Sequence, residues 1–185
     1  IFTGLGVAFA IKTGLFNIGA AGQYVMGCVV ATMVGSMLDF PKPVAILMVV
    51  ISAMLISALY AGFVGLLKAQ LGIHEVISGI MLNWILLYLS NMILVSPSVK
   101  DAASPYTVRL SKGNPSALIP TAGLNTLFAN NKTVTLAIPL AILFAILIWV
   151  ILTKTKFGYE LRVTGFNKEA AKYAGMKEKQ KIIVT

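Results

Sequence analysis

Four long runs without a charged side chain constrain the fold of this chain more than any other feature of its sequence. Residues 13–38, 43–67, 76–99 and 133–153 contain no Asp, Glu, Lys or Arg. About 20 apolar residues in an α-helix, at about 1.5 Å each, cross the ~30 Å hydrocarbon core of a bilayer. The chain is 58% hydrophobic and 11% charged, whereas typical globular domains average about 45–50% and about 25%. The sequence therefore predicts an all-α, polytopic transmembrane helical bundle.

The charge-free runs also predict how the domain is divided. We expect membrane spans at residues 13–38, 43–67, 76–95 and 133–153. A partial span at residues 1–11 comes before Lys12, and the final "KIIVT" is typical of the start of another span. We therefore expect residues 1–185 to form a single transmembrane domain that is cut within helices at both ends.

Positive charge is concentrated near one end of the chain. Of the 15 Lys and Arg residues, eight lie within residues 154–181, directly after the last predicted span. Basic residues favour the cytoplasmic side of a membrane, so this segment is predicted to be a cytoplasmic loop. If successive spans cross the membrane in opposite directions, Lys12 and Lys68 lie inside the cell and the loop of residues 96–132 lies outside it. Membrane topology then explains the net charge of +9, and nucleic-acid binding is not predicted.

Polar and helix-weakening residues interrupt two of the charge-free runs. Asn17 and Gln23 stand among glycines in "GLFNIGAAGQYVMG", and "HEVISGIMLNW" contains Glu75 and Asn83. Polar groups are costly in hydrocarbon and usually face the bundle interior or a cavity. One interpretation is an interhelical hydrogen-bond network that holds the bundle together. The other is a polar pathway lined by discontinuous helices, an arrangement found in many transporters.

The cytoplasmic segment contains a predicted short helix within "GFNKEAAKYAGM". Asn167 suits the N-cap, Glu169 places a negative charge in the first turn, and Gly175 suits the left-handed position after the last turn. The predicted helix, residues 168–174, is too short to be stable alone in water, so it is expected to dock on a surface. Its small alanines favour close approach by a protein partner. A helix that lies on lipid would carry bulky apolar residues along one face.

These three motifs, in this order and orientation, resemble the permease subunit of ABC importers in the ribose, branched-chain amino acid and nucleoside group. The resemblance covers essentially all 185 residues and is nearest to the nucleoside or simple-sugar type. It implies a multi-pass protein of the bacterial cell (inner, or plasma) membrane that forms the translocation pathway for a small polar solute in an ATP-driven importer. It also implies ATP-binding cassette subunits, a second permease subunit and an extracellular solute-binding lipoprotein as partners.

Site residues follow from the same resemblance. The "GFNKEAAKYAGM" segment corresponds to the coupling loop of the family, which implies contacts with the ATPase from Gly165, Asn167, Glu169, Ala170, Ala171 and Gly175. The regions around residues 17–23 and 75–83 correspond to part of the translocation path, which implies roles for Asn17, Gln23, Glu75 and Asn83. His74 departs from the family pattern, in which Asn precedes Glu and Val.

No enzymatic activity is predicted for this chain. It contains no phosphate-cradling GxxxxGK[ST] motif and no nucleophile with a base at hand, so ATP hydrolysis is expected in a separate subunit. Neither a cofactor nor a metal is expected. An ion-coupled secondary transporter and a channel subunit are the alternatives. The first would need an intramembrane carboxylate, for which Glu75 is the candidate, and a channel would need no docking helix.

Overall fold

The computed structural model describes residues 1–37, 40–96, 99, 107, 110–128, 131 and 134–185. Most of these residues are helical, and the described part of the chain contains no β-strand. The all-α fold class is therefore confirmed. A 3-10 helix (Pro115–Ala117) lies between the fifth and sixth α-helices. The α-helices are α1 (Phe2–Lys12), α2 (Ala20–Met37), α3 (Lys42–Leu71), α4 (Glu75–Leu94), α5 (Leu110–Gly113), α6 (Leu124–Leu127), α7 (Ala137–Lys154), α8 (Lys156–Phe166), α9 (Lys168–Tyr173) and α10 (Glu178–Val184).

Four helices, α2, α3, α4 and α7, are long and apolar enough to cross a membrane. Each overlaps one of the predicted spans. Large apolar side chains stay exposed along them, including Leu59 at 69%, Tyr88 at 68% and Trp149 at 57%. Soluble monomers rarely expose apolar surface of this extent. These faces are therefore suited to lipid or to another membrane subunit.

The first predicted span differs from the structure at its start, because α2 begins at Ala20 rather than at residue 13. Helix α1 ends in a Schellman motif, in which the Gly14 N–H donates to the Ile11 carbonyl at 3.1 Å and the Leu15 N–H donates to the Ala10 carbonyl at 3.0 Å. Gly14 has a φ of +73°, which glycine adopts without the steric cost of a Cβ. The chain thus leaves the helical path before α2, as expected of discontinuous helices.

The chain forms two compact units by its internal contacts. The first unit comprises Ile1–Ala21, Leu59–Asn83 and Pro139–Thr185. The second unit comprises Gly22–Ala58 and Trp84–Ile138. Each unit therefore combines segments that are far apart in the sequence.

Small residues bring α2 and α3 close together in the second unit. A Cβ added to Gly27 would lie 3.0 Å from the Ser57 Oγ, and the Ser57 hydroxyl donates to the Gln23 carbonyl at 3.1 Å. The Asn114 Nδ2 donates to the Gly35 carbonyl at 3.0 Å. The loop that follows α4 is therefore fastened to α2 by a buried side chain.

The predicted extracellular loop, residues 96–132, is described only in part. Lys100, Arg109 and Lys132 lie outside the described residues. The described part contains α5, the 3-10 helix and α6. Asn114 caps the 3-10 helix, because its Oδ1 accepts the Ser116 N–H at 3.2 Å. The placement of this loop outside the cell stays a prediction.

A sharp turn joins α7 to α8 in the first unit. Thr155 caps α8, and its Oγ1 accepts the Gly158 N–H at 3.1 Å. A Cβ added to Gly158 would overlap the Ile151 carbonyl oxygen, so the turn has room for glycine alone. Leu161, one turn further on, is fully buried at 0% exposure. The segment predicted as a cytoplasmic coupling loop at 154–181 therefore begins with an 11-residue helix that the sequence analysis did not anticipate.

We expect Gly158→Ala to lower the stability of the protein, because the new methyl group would overlap backbone atoms of Ile151 and Leu152. Overpacking of this kind costs about 1–3 kcal/mol, and occasionally more. Gly62→Ala in α3 is the matched control, since no atom lies within 4 Å of its added Cβ. Thermal unfolding in detergent should show a lower midpoint for Gly158→Ala only. Equal midpoints for the two variants would contradict the close packing at this turn.

Candidate functional site

A hydrogen bond from Asn83 of α4 holds the non-helical segment at residues 14–19. The Asn83 Nδ2 donates to the Ile18 carbonyl at 3.0 Å, and its Oδ1 accepts a longer bond, 3.4 Å, from the Tyr60 hydroxyl of α3. A break in a membrane helix leaves backbone groups without their helical partners, and an unsatisfied group costs several kcal/mol in hydrocarbon. Asn83 satisfies one of these groups. It therefore belongs to a hydrogen-bond network, the first of the two interpretations of the polar residues.

Two glycines allow the non-helical segment to reach α4. A Cβ added to Gly79 would lie 3.0 Å from the backbone nitrogen of Gly19 and 3.5 Å from its Cα. Gly19 is itself buried, and a Cβ there would lie 3.4 Å from the Asn17 Oδ1. Asn17 is half-buried in this segment. The structure thus places two predicted pathway residues, Asn17 and Asn83, in one packed region of the first unit.

Gln23, another predicted pathway residue, belongs to the second unit. It is half-buried in the first turn of α2. Its backbone carbonyl accepts the hydroxyl of Ser57. In the described structure, this residue helps to join α2 to α3.

Glu75, the fourth predicted pathway residue, forms an ion pair with Lys68 across the α3–α4 turn. The Lys68 Nζ lies 2.5 Å from the Glu75 Oε2, and the side chains are only 19% and 15% exposed. Gly72 turns the chain between the two helices with a φ of +66°. A carboxylate that is already neutralised by a lysine is poorly placed to bind and release a coupling ion. Glu75 therefore acts as a link between α3 and α4.

His74 occupies the N-cap position of α4. Its Nδ1 accepts the Val76 N–H at 3.3 Å. This is the contact that a capping side chain makes with the second residue of a helix. The imidazole is 61% exposed, so the cap lies at the surface of the first unit.

Helix α9 has the end structures predicted for the coupling helix. The Asn167 Oδ1 accepts the Ala170 N–H at 3.1 Å, so the predicted N-cap is confirmed. Gly175 has a φ of +74°, and the Met176 N–H donates to the Ala171 carbonyl at 3.0 Å in a second Schellman motif. The helix ends one residue earlier than predicted.

The six predicted coupling residues divide into an internal pair and an exposed group. Ala171 is fully buried, at 0% exposure. A Cβ added to Gly165 would lie 2.7 Å from the backbone carbon of Thr13 and 2.8 Å from the nitrogen of Gly14. Both residues face the interior of this chain, so the surface of α9 that a partner can reach excludes Ala171. The exposed predicted residues are Asn167, Glu169, Ala170 and Gly175.

Two aromatic side chains, one just before α9 and one at its end, were not among the predicted coupling residues. Phe166 and Tyr173 are 90% and 91% exposed, respectively. Aromatic residues are enriched in the cores of protein–protein interfaces. The sequence does show an aromatic residue at each end of a lysine-rich helix. Their exposure could not be predicted from it, because exposure depends on how α8 and α9 pack. Phe166 and Tyr173 extend the candidate contact surface beyond the predicted residues.

A cavity of about 380 Å³ lies beside the end of α9, and Lys156, Lys177 and Lys181 are among its lining residues. The Lys181 Nζ pairs with the Glu160 Oε2 at 2.5 Å, and this hydrogen bond lowers the pKa of Glu160 below its ordinary value. The pair ties α10 to α8 and so fixes one wall of the cavity. In the described ranges of the chain, no group of three or more His, Cys, Asp and Glu residues could hold a metal ion.

Residues 1–185 match the protein family described as "Branched-chain amino acid transport system / permease component". The guanosine ABC transporter permease protein NupP of Bacillus subtilis (strain 168) is 35% identical over 185 residues, which are 100% of this chain and 51% of NupP. The nucleoside ABC transporter permease protein NupB of Lactococcus lactis subsp. cremoris (strain MG1363) is 35% identical over 188 residues, which cover 100% of this chain and 51% of NupB.

A glucose ABC transporter permease protein, TsgB13 of Haloferax volcanii, is also similar. It is 31% identical over 183 residues, which cover 95% of this chain and 47% of TsgB13. The chain thus spans about half the length of the curated relatives it matches. No solved structure matches it.

We expect the Lys68–Glu75 ion pair to show strong coupling in a double-mutant cycle. Lys68→Met leaves a largely buried carboxylate without its cation, which should cost about 1–3 kcal/mol. Adding Glu75→Gln should recover much of that loss, because the charge that needs a partner is gone. Lys12→Met, which changes an exposed lysine in the last turn of α1, is the control and should change stability little. Thermal unfolding in detergent of the wild type, the two single variants, the double variant and the control measures the effect. If the losses of the two single variants simply add in the double variant, the ion pair does not contribute to stability.

Proposed function

We propose a role in solute import on the premise that this chain belongs to the family of permease components of branched-chain amino acid transport systems, which it matches over residues 1–185. It is a multi-pass helical membrane protein and a non-catalytic subunit of a transporter. In the complete transporter it forms part of the pathway for a small polar solute. ATP hydrolysis in a separate subunit drives the transport.

The exposed surface of α9 is the observation that carries this proposal. The helix has only six residues, yet both of its ends are capped and its Ala171 is buried against the chain. A short helix gains its stability from such contacts. Ala170 and Tyr173 of α9 stay exposed, as does Phe166 at the end of α8. A rigid, open helix with aromatic residues at its ends suits docking into a groove of an ATPase subunit.

The non-helical segment beside α4 supports a polar pathway. It combines backbone that lies outside any helix with the half-buried Asn17 amide, in a helix bundle whose long helices contain few charges. A nucleoside or a simple sugar is neutral and rich in hydroxyl groups, so amides recognise it better than fixed charges do. The names of NupP, NupB and TsgB13 are those of guanosine, nucleoside and glucose permeases. A nucleoside is therefore the solute we propose first, and a simple sugar second.

The proposed assembly contains several proteins besides this chain. Two ATP-binding cassette subunits dock on the cytoplasmic side, where α8 to α10 lie by the positive-inside rule. A second permease subunit packs against the exposed apolar helix faces. An extracellular solute-binding lipoprotein delivers the solute to the loop at residues 96–132.

The two alternatives to an ATP-driven permease fit the structure less well. A secondary transporter needs an available carboxylate in the membrane, but Glu75 is paired with Lys68. A channel needs no docking helix, yet α9 is capped at both ends and exposed on one side. The coupling geometry therefore favours the ATP-driven importer.

We expect the double substitution Phe166→Ala and Tyr173→Ala to weaken ATPase binding. Interface hot spots are often aromatic and each contribute about 2 kcal/mol or more, so the amount of co-purifying ATPase should fall at least about tenfold. Phe128→Ala is the matched control, because Phe128 is also well exposed, at 59%, but lies in the predicted extracellular loop. Gentle extraction of the tagged full-length protein followed by mass spectrometry measures the effect.

The same purification also tests the proposed function itself. An ATPase subunit should accompany the unmodified protein under mild extraction. If none does, the proposal fails. If one does and both aromatic substitutions leave it bound, the docking surface has been placed on the wrong residues.

We expect Asn17→Ala to reduce uptake of radiolabelled guanosine in cells that depend on this transporter. The loss of one hydrogen bond, worth about 0.5–1.5 kcal/mol, corresponds to about two- to tenfold weaker apparent affinity. Asn125→Ala is the control, since Asn125 is also half-buried but lies in the 96–132 loop. Unchanged uptake by Asn17→Ala, with normal amounts of protein in the membrane, would exclude Asn17 from the pathway.

A further inference from the structure

The end of α1 and the end of α8 touch through their backbones. A Cβ added to Gly14 would lie 2.8 Å from the Gly165 carbonyl oxygen and 2.9 Å from its Cα. A Cβ added to Gly165 would lie 2.7 Å from the carbon of Thr13 and 2.9 Å from the oxygen of Lys12. Real Cβ atoms do not approach backbone so closely. The two helices therefore meet at a point that only a pair of glycines permits.

The backbone conformation alone does not explain Gly165. Gly14 has a positive φ and would be glycine for that reason, but Gly165 lies within α8 and has no such requirement. Glycine weakens a helix relative to alanine. The close approach to Gly14 is therefore the physical reason for a glycine at this position.

The residues around this contact are packed as tightly as a protein core. Ala10 and Thr13 of the α1 end are 2% and 3% exposed, and Leu161 and Thr164 of α8 are 0% and 2% exposed. Close-packed interiors have low compressibility and transmit strain. A displacement of α8 must therefore move the end of α1, since no gap lies between them to absorb it.

The contact lies between the proposed docking helix and the proposed pathway. Asn167 is both the C-cap of α8 and the N-cap of α9, so no flexible linker separates these two helices. On the other side, Gly14 opens the non-helical segment whose Ile18 carbonyl is bonded to Asn83. The path from α9 to α4 is a continuous chain of packed or bonded groups within the first unit.

We propose that Gly14 and Gly165 are positioning residues that form a transmission joint between ATPase docking and the non-helical segment of the pathway. The proposal rests on the importer function proposed above. Motion of α9 moves α8, and the glycine contact passes that motion to the end of α1 and to residues 14–19. The joint acts through other groups and touches neither solute nor ATP.

A first experiment adds one methyl group on either side of the Gly14–Gly165 contact and compares each variant with a matched control glycine. Gly165→Ala is paired with Gly62→Ala, a helical glycine with nothing within 4 Å, and Gly14→Ala is paired with Gly72→Ala, whose φ is also positive at +66° and whose surroundings are open. Full-length protein is reconstituted in liposomes with its ATPase and binding protein. Solute transported per ATP hydrolysed should fall at least about fivefold in Gly165→Ala and Gly14→Ala, while basal ATP hydrolysis and ATPase co-purification stay normal. Both controls should keep the wild-type ratio.

A second variant spares the buried junction in case the alanine variants fold poorly. Two glycines inserted between Leu15 and Phe16, which lie after Gly14 in the non-helical segment, leave the Gly14–Gly165 contact, α8 and α9 intact but make the connection from α1 to Ile18 flexible. The same loss of transport per ATP, with the ATPase still bound, supports the joint. An unchanged ratio in this insertion variant overturns the joint even if the proposed importer is correct. Absence of any ATPase from the wild-type complex would instead overturn the proposed function.

Discussion

The hydrogen bond from Asn83 to the Ile18 carbonyl is the interaction on which the arrangement of the first unit depends. Inside a membrane no water is available to satisfy a broken helix, so the chain itself must provide the partner. Asn83 provides it from α4, and Gly79 leaves room for the backbone of residues 18 and 19 to come within reach. The Schellman motif at Gly14 ends α1, and the Asn83 bond holds the non-helical segment that follows it against α4. The bond therefore fixes the position of residues 18 and 19 relative to α4.

The parts of the fold that depend on short stretches of sequence could be predicted. Long charge-free runs predict the membrane helices, because length and apolarity alone decide whether a segment can cross a bilayer. The caps of α9 were predictable for the same reason, since Asn167 and Gly175 act on backbone groups within a few residues. The length of the non-helical segment before α2 could not be predicted, because glycines and an asparagine mark a break without showing how far it extends.

Features that depend on distant residues could not be predicted. Nothing near Ala171 in the sequence shows that it is buried while Ala170 is exposed, because that depends on how α9 packs against α8. The same holds for Gly165, whose neighbour Gly14 is far away along the chain. Asn83 was correctly singled out as a polar residue in an apolar helix, but its partners Ile18 and Tyr60 come from two other segments. Tertiary packing decides these roles.

The cap formed by His74 shows how histidine can take the position where the resemblance leads us to expect asparagine, without loss of the helix end. An imidazole Nδ1 and an asparagine side-chain oxygen both present an acceptor lone pair to the second N–H of α4. Both residue types place a hydrogen-bond acceptor at the right distance from this N–H, and the helix end requires only that acceptor. An exchange of asparagine for histidine at this position therefore keeps the helix end as long as the side chain presents an acceptor to the Val76 N–H.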